Sequence, residues 1–305
     1  MKVLIVGLGS IAKKHVAALR KITNTATVFA LRSAPDSAKE EGVVNLYSGD
    51  DLQAQDFDFA IVSNPTYNHR NTIAVLAELR IPLFIEKPLF DTVGEAEELL
   101  LEKIKRAEIP TYVACNLRFL DSLQFIKGEL NSKRINEVNI YCGSYLPDWR
   151  PGEDFRKIYS ANKEMGGGVQ IDLIHELDYT YWLFGKPEHT RALFRNSSSL
   201  DISAIDYANY VWQYEEFTAS IILNYYRIET KRTLEIVCED GTYLINLLKN
   251  SVSFGTEIIF SSEQKMVDTY QLQMAYFLNL IKHKKDSNFN TVFEAYKILK
   301  LCIED

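Results

Sequence analysis

The chain has 305 residues, 47% of them hydrophobic and 25% charged, enough for one large domain or two ordinary ones with a core that needs no staples. A net charge of −7 argues against nucleic acid as the main partner, and no apolar run approaches the length of a membrane span. Cys115, Cys142, Cys238 and Cys302 show no CxxC spacing, so they read as buried thiols in a reducing compartment rather than disulfides or a zinc site. The apolar start is too short for a signal peptide and runs into glycine, which points to a cytoplasmic protein. The basic cluster KHKK at 282–285 reads as a solvated helix end.

In chain order, residues 2–6 form a short apolar strand, 11–22 a helix and 27–31 a second strand. A strand over 58–63 closes on Asn64-Pro65; a helix over 69–79, a strand over 83–86, a helix over 93–106 and a strand over 111–116 follow. Strands with wholly apolar cores that alternate with helices predict an α/β fold, a doubly wound parallel sheet of the Rossmann kind. The pattern then changes. A helix over 120–130 leads to an alternating strand over 138–145, a loop rich in Pro, Gly, Trp and charge over 147–164, a glycine triplet and a helix over 171–183. Strand follows strand from 190 to 260, with Glu239-Asp240-Gly241 as a turn, and helices over 263–282 and 291–303 close the chain. The expected organisation is two domains, 1–118 and 119–305, the second an α+β domain with an open, mostly antiparallel sheet.

The first strand runs into Gly7-Leu8-Gly9-Ser10-Ile11-Ala12, a G-x-G-x-x-A pattern between a strand and a helix. Gly7 permits the tight turn, Gly9 lets backbone approach a pyrophosphate, and Ala12 lets helix pack on strand. Free N–H groups at Ser10 and Ile11 would face the phosphates. The alternative is a glycine turn used for packing alone. The second strand ends Ala30-Leu31-Arg32-Ser33, with no acid until Asp36. Arg32 and Ser33 suit a 2′-phosphate, so NADP is the expected cofactor, with NAD possible; the alternative is a surface arginine. Asn64 and Pro65 stand at the carboxyl end of a parallel strand, where the nicotinamide side of a cofactor would sit; His69 joins them there or caps the helix that follows.

The stretch FIEKPLF at 84–90 sets Glu86 and Lys87 among apolar neighbours, at the sheet edge that carries the glycine turn. Pro88 lacks an N–H and ends the strand. An ammonium at that edge can donate to a substrate oxygen, and Glu86 can orient it or reach the cofactor ribose; a simple ion pair at a strand end is the other reading. The glycine start, Asn64-Pro65-Thr66, Glu86-Lys87-Pro88 and the later GGGVQIDLIHELD together resemble the Gfo/Idh/MocA family, in the right order over most of the chain. That resemblance implies an N-terminal Rossmann domain, a C-terminal domain with an open sheet, and hydride transfer between a nicotinamide cofactor and a sugar, nucleotide sugar or cyclitol. It implies a catalytic role for Lys87 and association as a homodimer or homotetramer through the open sheet.

In the second half, His175 reads as the general acid or base on the substrate oxygen, three residues after Asp172 and three before Asp178 on the helix expected over 171–183. Many relatives of the family place an acid four residues before this histidine; here that position is Ile171, and Asp172 follows it. Asp172 is therefore either a shifted catalytic acid or a substitute without a catalytic part, and Asp178 has an orienting or structural role. The loop YLPDWRPGEDFRKIY at 145–159 offers Trp149, Arg150, Arg156 and Tyr159 for a sugar derivative with an anionic part, or else for dimer contacts. Two other classes remain: a non-catalytic dinucleotide sensor of the same fold, and a metal hydrolase, which five histidines without ligand spacing disfavour, so no metal is expected.

Overall fold

The computed structural model describes residues 1–34, 39–49, 52, 55–283 and 289–304; Asp36 and the end of the 282–285 basic cluster lie outside them. The described chain divides into two compact units, one of Met1–Asn116 with Val267–Leu299, the other of Leu117–Met266 with Lys300–Asp305. Residue spacing alone suggests a single cut near 118. The compact units instead exchange a segment, because residues late in the chain pack on the first sheet.

The first unit opens with β1 (Lys2–Val6), α1 (Ser10–Ile22), β2 (Thr27–Leu31), β3 (Val43–Leu46) and β4 (Phe59–Val62). It continues with α2 (His69–Glu78), β5 (Leu83–Ile85), α3 (Glu95–Arg106) and β6 (Thr111–Val113). The six strands are all parallel in the order β3-β2-β1-β4-β5-β6. This is the doubly wound arrangement in which the strand order reverses between β1 and β4, the crevice where ligands of such sheets bind. Central strands are apolar throughout because helices cover both faces; Leu4, Ile5, Phe59, Ile61 and Phe84 are fully buried. The short edge strand β3 escapes the hydrophobic pattern: it is only part-buried and carries Asn45.

The second unit contains α4 (Asp121–Glu129), β7 (Ile135–Tyr145), α5 (Val169–Asp172), α6 (His175–Phe184), β8 (His189–Arg195), β9 (Tyr207–Gln213) and β10 (Thr218–Asn224). Four more strands complete its sheet: β11 (Tyr226–Cys238), β12 (Gly241–Asn246), β13 (Ser251–Phe254) and β14 (Glu257–Ser261). The sheet runs β14-β13-β12-β11-β7-β10-β9-β8, antiparallel except where β7 meets β10. The single helix expected over 171–183 is two. Ile174 and Glu176 donate to carbonyls three residues back, Ile171 (3.4 Å) and Leu173 (3.2 Å), and this tightening separates α5 from α6.

The last helices are α7 (Met266–His283) and α8 (Val292–Ile303). Phe277 of α7 is fully buried in the first unit, its ring 5.2 Å from Phe59 and 5.4 Å from Phe84. Asn290 donates to Val113 O (2.5 Å) and accepts at its own carbonyl from Val113 N (2.8 Å), fastening this return segment to β6. All four cysteines are buried and none is disulfide-linked. Among the described residues no helix is long and apolar enough to cross a membrane.

Candidate active site

In the first unit the carboxyl ends of β1, β4 and β5 deliver the relevant turns side by side. Gly7 has φ +83°, and a Cβ there would stand 2.7 Å from Asn64 Cα and 2.8 Å from Asn64 N. Only glycine lets the β1 turn lie this close to the β4 turn. Ser63 pins the contact: its Oγ donates to Gly7 O (3.0 Å) and its backbone N–H to Val6 O (3.0 Å). Gly9, by contrast, faces open space. It precedes α1, whose first turn has no acidic residue and no side-chain cap. The leading N–H groups of that 13-residue helix, Ser10 and Ile11 among them, therefore face outward with the positive end of its dipole.

These features fit a dinucleotide. A glycine-lined turn, an uncapped helix start and a gap where a side chain would otherwise stand are what a pyrophosphate needs. Asn64 adds a further sign: its Nδ2 donates to Thr72 Oγ1 (2.8 Å), while its Oδ1 is buried with no hydrogen-bond partner among the described residues. A donor on a bound group would satisfy it. Pro65 is exposed beside it. Arg32 leaves β2 with its guanidinium donating to Asn45 Oδ1 of β3 (2.9 Å), and Ser33 is exposed.

His69 turns both of its ring nitrogens to backbone carbonyls. It is 1% exposed, its Nε2 meets Asn64 O (2.9 Å), and its Nδ1 meets Pro88 O and Leu89 O (3.1 Å each). It ties the β4 turn to the turn after β5. Burial holds the imidazole below its ordinary pKa, partly opposed by the carbonyls of Asn64, Leu89 and Pro88 and by the Glu86 charge. A ring placed to contact cofactor, as its position in the sequence suggests, would need to face the crevice; this one is spent on backbone.

Glu86 departs from expectation in the same way. It is 7% exposed; Oε1 is bonded to His15 Nε2 and Oε2 accepts from the backbone N–H of Lys87 (3.1 Å). Both oxygens brace the protein, which leaves the ribose contact without a carboxylate directed at it. Lys87 is the second residue after β5, is half-buried, and precedes Pro88 through a cis peptide.

The second unit assembles its residues around the glycine triplet. A Cβ on Gly167 would lie 2.1 Å from Tyr159 O, so the 145–159 loop doubles back onto the triplet only because that residue is glycine. Beyond it, Asp172 ends α5 and His175 begins α6, both half-buried and three residues apart across the tightened turn. Tyr225, fully buried, donates its O–H to Asp172 Oδ2 (2.5 Å), and Trp149 sets its ring edge-on to Tyr225 at 5.3 Å. Burial, then the Asp172 charge, hold the Tyr225 hydroxyl protonated far above the usual phenol range. Trp149 thus stands behind Asp172 through Tyr225, and the backbone of Tyr159 packs on the glycine triplet. Arg150 does not join them through any contact here: it is exposed and pairs with Glu153 in its own loop (3.5 Å). Arg156 is exposed and stacks on Phe155 at 4.5 Å.

Asp178 points inward. Arg118 holds it bidentately at 2.9 and 2.7 Å, with both residues at 1% exposure or less. Glu176 is held likewise by Arg232, at 2.6 and 3.0 Å. Two buried carboxylates in the first turn of α6, two residues apart and each gripped by a guanidinium, fix the helix that carries His175. Sequence spacing missed Tyr225, Arg118 and Arg232, since nothing local marks them. His15 was discoverable, as a polar residue three positions after Ala12 on the buried stripe of α1. Among the described residues no group of three or more His, Cys, Asp or Glu is placed to hold a metal ion.

A model of an oxidoreductase family with an NAD-binding Rossmann fold, Gfo/Idh/MocA, matches residues 1–112, and the model of that family's C-terminal domain matches residues 124–244. The chain belongs to the Gfo/Idh/MocA family. It is 24% identical over 140 residues to the rhizopine catabolism protein MocA of Rhizobium meliloti, covering 46% of this chain and 42% of that protein. It is 22% identical over 208 residues to myo-inositol 2-dehydrogenase of Thermotoga maritima, covering 66% of this chain and 59% of the relative. The matched stretches thus span about half the length of these curated relatives. The fold is that of scyllo-inositol dehydrogenase from Lactobacillus casei, solved with NAD(H) and scyllo-inositol: TM-score 0.80, 21% identity, 99% of this chain and 94% of that one. Membership in the family accounts for the doubly wound first sheet and the open second sheet together.

Proposed function

We propose that the protein is an NAD(P)-dependent oxidoreductase that moves a hydride between nicotinamide and a hydroxyl or carbonyl carbon of a sugar, nucleotide sugar or cyclitol. The observation that carries this reading is the crevice between β1 and β4: a glycine turn packed on Asn64, with an unpartnered Asn64 oxygen, beside the turn that bears Lys87. A nicotinamide bound there supplies the hydride acceptor or donor. Lys87 donates to the reacting oxygen and stabilises negative charge as it develops. His175 takes the proton of the hydroxyl in oxidation and returns one to the oxygen in reduction, since an imidazole nitrogen can accept a proton or donate one. Asp172, with Tyr225 behind it, contributes a carboxylate to the substrate, and Tyr159 and Arg150 are its further contacts in this reading.

The test is a double-mutant cycle. Lys87→Ala and His175→Ala should each lower kcat by about a hundredfold or more, with NAD(P)H affinity within about threefold of wild type. The double variant should be little worse than either, because groups acting in one transition state are not additive. Substrates for the assay are a panel of cyclitols, sugars and nucleotide sugars, followed at the nicotinamide band. Full turnover in either single variant sinks the assignment. Tight cofactor binding with no turnover across the panel favours a sensor of the same fold.

Preference for NADP over NAD is part of the proposal. Arg32, held by Asn45 beside β2, supports it, and no acid stands at 32–34. Arg32→Ala should weaken NADPH by about tenfold, ~1.4 kcal/mol, while NADH changes little. Equal affinity for both cofactors in the wild type overturns it. Assembly as a homodimer or homotetramer through the second sheet is supported by exposed apolar side chains on its strands, such as Leu193, Val211, Leu244 and Ile258. A monomeric mass in light scattering at micromolar concentration refutes it.

A further inference from the structure

We propose that His15 is a positioning residue for Lys87, acting through Glu86. This rests on the reading above that Lys87 serves the reacting oxygen. His15 lies on α1, 71 residues before Glu86, and is fully buried. Its Nε2 is bonded to Glu86 Oε1, and an ionised carboxylate only accepts, so the ring nitrogen is the donor. The other oxygen of Glu86 accepts the backbone N–H of Lys87 at 3.1 Å. A three-part chain results: imidazole, carboxylate, lysine backbone. It leads from the helix that starts at the glycine turn to the residue assigned to the substrate oxygen.

The surroundings show that the ring is placed for this one bond. Phe84 meets it edge-on at 4.9 Å and Tyr270 lies at 5.8 Å. His15 Nδ1 is buried and has no hydrogen-bond partner among the described residues. A histidine in that apolar stripe gains nothing over leucine except its bond to Glu86. Without it, a 7% exposed carboxylate is left short of a donor. The nearest cationic side chain in its own sequence is that of Lys87, one residue on. The anion then draws the ammonium back toward the strand end and away from a substrate oxygen. His15 thus keeps Glu86 turned to the backbone N–H of Lys87.

Chemical labelling of Lys87 by trinitrobenzenesulfonate tests this without any substrate. The rate is read peptide by peptide in the full chain at one fixed, mildly alkaline pH, with Lys13 and Lys103 as internal references. In His15→Leu, which keeps the bulk and removes the donor, Lys87 should label more slowly by about threefold or more, because a carboxylate drawn to it favours the charged form. His15→Gln, which restores an N–H, should return the rate to near that of wild type. NADH affinity should stay within about threefold throughout. Wild-type labelling in His15→Leu reduces His15 to packing and overturns the proposal, as does a Gln variant no better than Leu. If His15→Leu does not fold, His15→Leu/Glu86→Gln decides: with the carboxylate gone, labelling should match that of Glu86→Gln alone, and any further slowing overturns the proposal. Failure of the wild type to turn over any substrate would sink the functional reading above and leave the labelling result intact.

Discussion

Replacing Gly7 and Gly9 separately by alanine should divide folding from binding within one turn. At Gly7 the backbone has φ +83°, and the new methyl would meet Asn64 Cα at 2.7 Å and Ser63 C at 3.0 Å. An L-residue in that conformation costs about 1–2 kcal/mol. Forcing the two turns apart costs about 1–3 kcal/mol more, since the contacts are backbone and cannot swing away. Lost freedom of the unfolded chain returns about 0.4–1 kcal/mol, leaving a net destabilisation of about 1–5 kcal/mol. Gly9 has φ −81° and nothing within 4 Å of the added carbon, so Gly9→Ala should leave the free protein as stable as wild type or slightly more so. The same methyl would fill the space assigned to a pyrophosphate, and NADH affinity should drop by about tenfold or more, ~1.4 kcal/mol. All three tryptophans, Trp149, Trp182 and Trp212, lie in the second unit, so their fluorescence is the wrong probe. Amide hydrogen exchange of the β1 and β4 peptides in rising urea reports the first unit directly. A Gly7→Ala protein within about 0.5 kcal/mol of wild type would refute the close-approach argument. A Gly9→Ala protein that binds NADH as tightly as wild type would show that the turn is not the phosphate cradle.

Asp178→Leu should destabilise the second unit by about 3–5 kcal/mol, because it strands a fully buried guanidinium, that of Arg118; Trp182, whose ring lies 6.0 Å from that guanidinium, reports the unfolding. Lost turnover at unchanged stability would instead make Asp178 catalytic. His69 is held neutral by burial, so the unfolded chain binds its proton more readily than the folded one. Stability should be complete above about pH 6.5 and be lost as the pH falls below that value, and His69→Gln should flatten the slope on the acid side of it. An unchanged slope in urea midpoints for that variant would remove His69 as the cause. Tyr225→Phe withdraws the hydroxyl from Asp172 and should cost about 0.5–1.5 kcal/mol of stability. If Asp172 serves the substrate, KM should rise with kcat less affected; unchanged kinetics would leave the pair structural.

Much of the first unit is legible along the chain because its signals are local. An apolar strand, a glycine turn and an amphipathic helix fall within residues 2–22, and their order alone implies a parallel sheet. Glu86 and Lys87 announce themselves because charge in an apolar stretch needs a reason. The second unit is harder to read. Its alternating strands predict a sheet but leave the order of β7, β10 and β11 open, and the helix expected through 171–183 hides a break that sets Asp172 and His175 on different helices.

Partners distant in sequence were decided by the tertiary structure alone. Glu86 looks outward by its place at a strand end, yet His15, far upstream, turns it inward. Asp178 looks like a neighbour of His175 on a common face, yet Arg118 claims it for the interior. The segment 267–299 follows the second sheet in the chain and packs with the first, since Phe59 and Phe84 offer Phe277 a buried aromatic surface. Backbone conformation and hydrophobic period are properties of neighbouring residues, so a linear text carries them. Which donor meets which buried carboxylate depends on elements brought together from far apart, and that information exists only once the chain has folded.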